Sequence, residues 1–253
     1  MFKINKLFYS PVKSLSFSSV NKLEILDNIG IKFDRNFAFT RDLDDNKINQ
    51  ILNNPLKRQI INFLSLKHFP ELNEYNFDFE KDILYLKKNN NIILKSNINV
   101  QSDVETLCDK ILVLIPKLER IKLIKDSKNP FFDTMPSNTI SLINLNSIKD
   151  FEKKISKNVE LERFRGNIYI NGLDAWEERS WINKTLEINN IKFKVIKEIP
   201  MCSATNIKPN SSKYNLSVPL LLKQFYNHIN LGIYILPLNN GNIKLNDEIL
   251  IND

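Results

Sequence analysis

A run of alternating residues between Lys184 and Glu198 restricts the fold more than any other stretch of this chain. Apolar and polar side chains take turns through 184–188 and 191–198, on either side of Asn189-Asn190. Alternation with period two puts one row of side chains on each face of a strand. An Asn-Asn pair between two such runs reads as a tight hairpin turn. Strand signals recur at 2–9, 20–26, 36–40, 59–67, 83–87, 92–95, 119–125, 167–170, 232–237, 242–245 and 247–251. Asp27 to Gly30 supplies a turn, and Asp42 to Asn46 reads as a hairpin tip.

Helical spacing is rarer. Val104, Leu107, Cys108, Ile111 and Leu112 recur at helical intervals in 103–115, with Ser102 and Glu105 as a capping box. This makes Cys108 a packing residue. Two more helices are expected at 147–157 and 218–229. Many short strands with few helices predict a mainly β (α+β) protein of barrels or sandwiches with attached helices. The loop carrying Pro130 and Pro136 sets the expected domain boundary, with units 1–125 and 126–253.

Composition removes several function classes. There are only 5 Gly in 253 residues and no G-x-G-x-x-G or P-loop, which argues against a Gly-rich nucleotide-binding fold. The 2 Cys and 2 His are not spaced as a zinc cage. Met1 to Tyr9 is too short and too polar for a secretory signal, and no run of 18 apolar residues predicts a membrane span. Sparse cysteine fits a reducing cytoplasm, the expected location. The net charge of +7 comes from scattered lysines without a basic block, so nucleic acid is not the expected partner.

Cys202 is the residue on which chemistry centres. It follows the long alternating run, precedes a polar loop closed by Pro209, and has small neighbours in Ser203, Ala204 and Thr205. A thiolate there can act as a nucleophile or a soft metal ligand, and the competing reading is a small buried hydrophobe. Three further fragments carry polar chemistry: Pro11-Val12-Lys13-Ser14, Asp34-Arg35, and Arg163-Phe164-Arg165-Gly166-Asn167. Guanidinium forks suit phosphate or the carbonyl edge of a pterin-like ring, and a Lys-Ser pair can grip a terminal phosphate. Only a fold that gathers these fragments makes them a site.

Taken in order, the motifs resemble the MOSC family, and more narrowly its two-part members with an N-terminal MOSC β-barrel domain. LFYSPVKSL with IGIKFDRNFAF is similar to the family's PVKS and G-x-x-x-DR signatures. FFDTMPSNTISLINLNSI resembles its acidic loop and following helix start, and ERFRGNIYINGLDAWEERSW its RFRPN block. LGIYILPLNNGNIKLNDEI is similar to its closing G-x-Y segment. The resemblance implies a MOSC β-barrel with attached helices and a molybdenum–molybdopterin cofactor, with no part for pyridoxal phosphate. It implies Cys202 as metal ligand and catalytic residue, with Lys13, Ser14, Arg35, Arg165, Asn167, Tyr234 and the helix-start Ser147 as cofactor contacts. The implied activity is two-electron reduction of small N-hydroxylated compounds (amidoximes, hydroxylamines) to amines, fed by a separate haem, flavin or iron–sulfur protein. A cofactor or sulfur carrier without turnover is the alternative. Two positions depart from the pattern: Met201 stands where Arg is usual, removing an expected cation, and Gly166 replaces Pro, which is expected to loosen that loop. Glu177 and Glu178 are weaker candidates for delivering protons.

Overall fold

Asparagine does the work that scarce glycine usually does. Asn89-Asn90 and Asn189-Asn190 both take left-handed backbone, with φ of 50° and 65° in the first pair and 48° and 63° in the second. Two successive residues of this hand make the turn whose twist matches paired strands, and the short polar Asn side chain tolerates it. Each pair joins two antiparallel strands in register, Lys88 opposite Asn91 and Ile188 opposite Ile191.

The computed structural model describes residues 2–132 and 138–252. In chain order the strands are β1 (Phe2–Tyr9), β2 (Ser18–Val20), β3 (Lys22–Leu26), β4 (Gly30–Ile31), β5 (Phe37–Phe39), β6 (Tyr75–Glu80), β7 (Ile83–Lys88), β8 (Asn91–Asn97) and β9 (Leu123–Lys125). They continue as β10 (Ile140–Asn144), β11 (Ile168–Asn171), β12 (Thr185–Ile188), β13 (Ile191–Pro200), β14 (Asn230–Pro237), β15 (Gly241–Lys244) and β16 (Glu248–Asn252). The helices are α1 (Asp45–Asn53), α2 (Gln101–Leu114), α3 (Leu145–Ile155) and α4 (Val218–Tyr226). This is the mainly β class the alternation predicts.

Seven strands close into a barrel in the order β11, β10, β14, β13, β12, β16, β1, with β1 returning to β11. Only the β10–β11 pairing is parallel, and its crossover is α3. Along β13 burial alternates strictly from Ile191 to Val195, with Lys192 and Lys194 outward, as the sequence requires. Ile4, Leu142, Ile168, Phe193, Ile233 and Ile235 fill the interior, each completely shielded from solvent. Burying each such side chain stabilises by roughly 1.5–3 kcal/mol.

Residues up to Lys125 enter three smaller sheets: β3 and β4 with β15 from the far end of the chain, β5 with β9, and β6–β7–β8. Helix α2 packs Leu107, Cys108 and Ile111 into a second core with Phe77, Leu84 and Leu86. A division at 125/126 is crossed twice, because β1 completes the barrel and β3 pairs with β15. Residues 133–137, within the acidic-loop motif and including Pro136, lie outside the described residues.

Three local expectations are corrected. The supposed hairpin tip at Asp42–Asn46 is the start of α1, where the Asp44 side chain accepts from Lys47 N at 2.7 Å and Ile48 and Ile51 turn inward. The supposed strand 59–67 begins as a short 3-10 turn, Ile60–Asn62, with the Asn62 amide accepting from Gln59 N. Ser102 does not cap α2; the helix starts at Gln101, and Asp103 instead accepts from Asn97 N. Strand β6 was not among the expected elements.

Candidate functional site

The loop after β1 is held by its own hydroxyls. Ser10 Oγ donates to Ser16 O at 2.6 Å, and Ser16 Oγ accepts from Val12 N at 3.0 Å. Lys13 N and Phe37 O, then Phe37 N and Pro11 O, sew the loop to β5. Ser14 sits at the turn with φ of 61° and faces outward. Beside it, Arg35 also takes left-handed backbone, φ 53°, and donates its N–H to Ser10 O at 2.6 Å. The buried Asp34 carboxylate accepts from Ser10 N at 2.6 Å and from the Arg35 guanidinium. Burial raises the Asp34 carboxyl above its ordinary range, against the opposing pull of Arg35. The Arg35 guanidinium lies 4.6 Å from the Phe132 ring centroid.

The RFRGN segment sends its two arginines to different places. It forms a short 3-10 helix, Leu161–Phe164, ended by Arg165 in the left-handed region. Arg163 turns inward, its side chain fully buried. It donates to Thr205 O at 2.7 Å and forms an ion pair with Glu160 at 2.6 Å. Arg165 turns toward the loop after β1, donates to Ser16 O, and lies over the Phe17 ring. Its guanidinium is within electrostatic reach of Arg35, Asp34 and Cys202. Burial, then the neighbouring charge of Arg35, pulls the Arg165 guanidinium down to about 10.

Cys202 follows β13 and is exposed. Its carbonyl accepts both the N–H of Thr205 at 3.0 Å and the Thr205 hydroxyl at 2.7 Å, which curls Ser203–Asn206 into a 3-10 turn. The reading of Cys202 as a buried hydrophobe is thereby overturned. Cys108 does fill that role, with its thiol pushed up to about 11 by burial. Met201 faces the core, its N–H bonded to Ile229 O at 2.8 Å. Gly166 does not loosen its turn. Its N–H donates to Tyr169 Oη at 3.1 Å, and a Cβ would stand 2.6 Å from Ile143 Cδ1.

Arg165 thus stands within electrostatic reach of Arg35 and Cys202 and shares a cleft wall with Ser14, while Asn167 bonds the Asp34 carboxylate from within the core. Lys13 is buried, with Nζ donating to Phe131 O at 3.2 Å and facing the Phe63 ring. Asn167 is buried; its amide oxygen accepts from Ser141 Oγ at 2.7 Å and its amide nitrogen donates to Phe8 O at 3.3 Å, joining β10, β11 and β1. Tyr234 is half-buried on β14 in the cluster that includes Met201 and Trp176. Ser147 is a correction: it is fully buried inside α3, donates to Glu178 and accepts from Trp176 N at 2.8 Å, so it presents nothing to an anion. Glu178 is likewise buried and bonded to Ser147 and Asn144, whereas Glu177 is exposed.

A cleft of about 620 Å³ opens beside this group, with Ser14, Arg163, Arg165, Ala204 and Pro209 on one side and Tyr75, Asn76 and Asp78 of β6 on the other. Strand β6 is latched to that wall, since the Asn76 amide oxygen accepts from Phe17 N at 2.7 Å. Sequence reasoning missed both this wall and the role of Arg163. The signal for Arg163 was its place in the same motif as Arg165, but spacing alone does not say which arginine faces in. Two guanidiniums near one exposed sulfur form a cationic cradle suited to a phosphate-bearing group and a thiolate-loving metal.

The family model described as "MOSC domain" matches residues 132–250. The chain is 24% identical over 250 residues to molybdenum cofactor sulfurase of Caenorhabditis briggsae, covering 90% of this chain and 32% of that protein. It is 34% identical over 74 residues to mitochondrial amidoxime reducing component 2 of Macaca fascicularis, covering 29% of this chain and 22% of that protein. These alignments span a third or less of the relatives' own length. Among solved structures, the YuaD protein from Bacillus subtilis aligns over 99% of this chain and 96% of its own, at 12% identity and a TM-score of 0.46. Motif order, matched span and closed barrel agree: residues 132–250 of this chain are a MOSC domain, whose barrel takes its last strand from β1.

Proposed function

We propose that the chain is a molybdenum cofactor-dependent oxidoreductase that reduces small N-hydroxylated compounds, such as amidoximes and hydroxylamines, to amines. The observation that carries this is an exposed cysteine, Cys202, within electrostatic reach of the Arg165 guanidinium, as Arg35 is. The residues fit such a group. Arg35 and Arg165 supply two cations for a phosphate, Ser14 a hydroxyl at the same wall, and Cys202 a soft ligand for molybdenum. When bound, the cofactor supplies the two-electron redox chemistry, and the protein supplies orientation and charge. In the overall reaction the N–O bond breaks, two electrons and two protons are taken up, and water leaves together with the amine (from a hydroxylamine) or the amidine (from an amidoxime). The electrons come from a separate protein, and the site works in a cytoplasmic setting. Apart from β1 and β3, which pair across the division, residues 1–125 wall the cleft with β6, and residues 126–253 carry the thiol.

Protein purified from a cofactor-sufficient host is expected to hold near-stoichiometric molybdenum by elemental analysis, and Cys202→Ala to lose it. Metal-free wild-type protein from such a host would refute the proposal. A second reading, a cofactor or sulfur carrier, is favoured by the similarity to molybdenum cofactor sulfurase over 90% of this chain. A reduced viologen dye with an amidoxime separates them: the enzyme consumes both, and the carrier holds metal but leaves the amidoxime intact.

A further inference from the structure

From Ile199 through Asn246 the chain contains no aspartate or glutamate. That acid-free stretch holds the exposed thiol and, directly after it, a surface of unusual make-up. Tyr214 is 55% exposed and Leu220 on the first turn of α4 is 71% exposed. The surrounding cations Lys208, Lys213 and Lys223 are exposed as well. Lys157, at the end of α3, reaches the same surface by donating to Asn215 O at 3.3 Å. Carboxylates arriving from other elements are largely neutralised, Glu160 by Arg163 and Glu74 by Lys88 at 3.1 Å. Glu162 stands at the cleft rim.

This surface is wired to the thiol turn. Asn206 closes the 3-10 turn that Cys202 opens. Its carbonyl accepts Asn215 N at 3.1 Å, and its side-chain oxygen accepts Val218 N at 2.8 Å. Ile207 and Tyr214 form a bridge between the two arms of the intervening loop. Tyr214 and the start of α4 are thus tied by hydrogen bonds to the turn that Cys202 opens.

We infer that the 207–217 segment and the outer face of α4 form the docking site of a small electron-transfer protein with an acidic face. The inference rests on the proposed reductase reading, which requires electrons from outside. Exposed apolar side chains with lysines beside them in the same segment, and no carboxylate from Ile199 to Asn246, are features that steer an acidic partner and then hold it. Electron transfer requires close approach, and the hydrogen bonds from Asn206 to Asn215 and Val218 join this face to the turn that carries the thiol.

The test is binding, read on the full chain with or without metal. Three acidic redox proteins serve as probes: a plant-type [2Fe–2S] ferredoxin, a flavodoxin and a cytochrome b5 haem domain. Calorimetry is run at about 20 mM and about 200 mM salt, where charge screening differs several-fold in range. At least one probe is expected to bind at low salt and weaken at least about tenfold at high salt. Lys208→Glu with Lys213→Glu should weaken it about tenfold, as should Leu220→Ser, whereas Lys95→Glu on β8 should not. The inference is overturned if no probe binds, if the Lys208/Lys213 reversal leaves affinity unchanged, or if a single-stranded oligonucleotide binds this face more tightly than every probe. Dye-driven reduction bypasses docking, so its absence counts against the catalytic reading alone.

Discussion

The Arg163 guanidinium crosses 42 positions of chain to donate to the carbonyl of Thr205 at 2.7 Å, which makes it the pin of the turn that Cys202 opens. The same guanidinium donates to Asn215 Oδ1 at 3.1 Å and pairs with Glu160, so one buried cation ties the RFRGN turn to both ends of the thiol loop. Hydrogen bonds from a charged donor to buried acceptors contribute about 1.5–3 kcal/mol each, and removing the donor strands the acceptors.

Arg163→Leu should therefore lower unfolding free energy by about 2–4 kcal/mol, part of the loss being offset because a buried charge disappears with it. Urea denaturation reads the total. Hydrogen exchange locates it: amides of 203–207 should exchange faster than in the wild type, while those of β13 stay protected. Arg163→Lys should recover little, because an ammonium cannot span the fork. An Arg163→Leu protein with wild-type stability and unchanged exchange at Thr205 would show that the pin is ornamental.

The barrel and most of its strands were legible because period-two burial is written directly into runs such as Ile191 to Val195. The N-terminal strand was legible as a strand, yet nothing in residues 2–9 tells that its partners are β11 and β16, more than a hundred and sixty positions away. Helix α1 was hidden because Asp42 to Asn46 carries turn-forming residues that serve equally as a helix cap. At the site, Ser14, Arg35, Arg165 and Cys202 came from motifs. Which arginine of RFRGN turns inward depends on the left-handed backbone of Arg165, a tertiary choice. Met201 and Gly166 looked like losses in one dimension. In three, the first belongs to the core, and the second stands where a Cβ would have to push aside the end of the Ile143 side chain.

Glu178 gives the fold a pH dependence of defined sign. Its carboxylate is buried among Ser147 and Asn144, and burial holds it above the ordinary glutamate range despite those hydrogen bonds. A group raised in the folded state contributes stability that is fully present below its unfolded value and is lost as pH rises through its folded value. Glu178→Gln removes that proton linkage while keeping an oxygen for Asn144. Thermal melts from about pH 4 to about pH 8 should show the variant gaining on the wild type as pH rises. A difference that stays flat across this range would mean that Glu178 titrates alike in both states.

Arg165 holds its place against Arg35, whose like charge helps pull its guanidinium down to about 10 while leaving it protonated at neutral pH. Asp34 offsets part of the Arg35 charge, and a bound anion would relieve the repulsion that remains between the two guanidiniums. Arg165→Gln loses a bond from a charged donor to Ser16 O, worth about 1.5–3 kcal/mol, offset in part because Ser10 Oγ still donates to that carbonyl and because Arg35 no longer faces a like charge. Stability should then stay within about 1 kcal/mol of wild type. Retention of a phosphate-bearing cofactor should suffer far more, since losing one charge-assisted contact of about 1.5–3 kcal/mol weakens binding about 10- to 100-fold. Elemental analysis after extensive dialysis should show molybdenum falling in the glutamine variant and partly kept in Arg165→Lys, which preserves the charge without the fork. If the glutamine variant retains molybdenum as the wild type does, the Arg35–Arg165 pair is not the anion cradle, and the cofactor would need a different anchor.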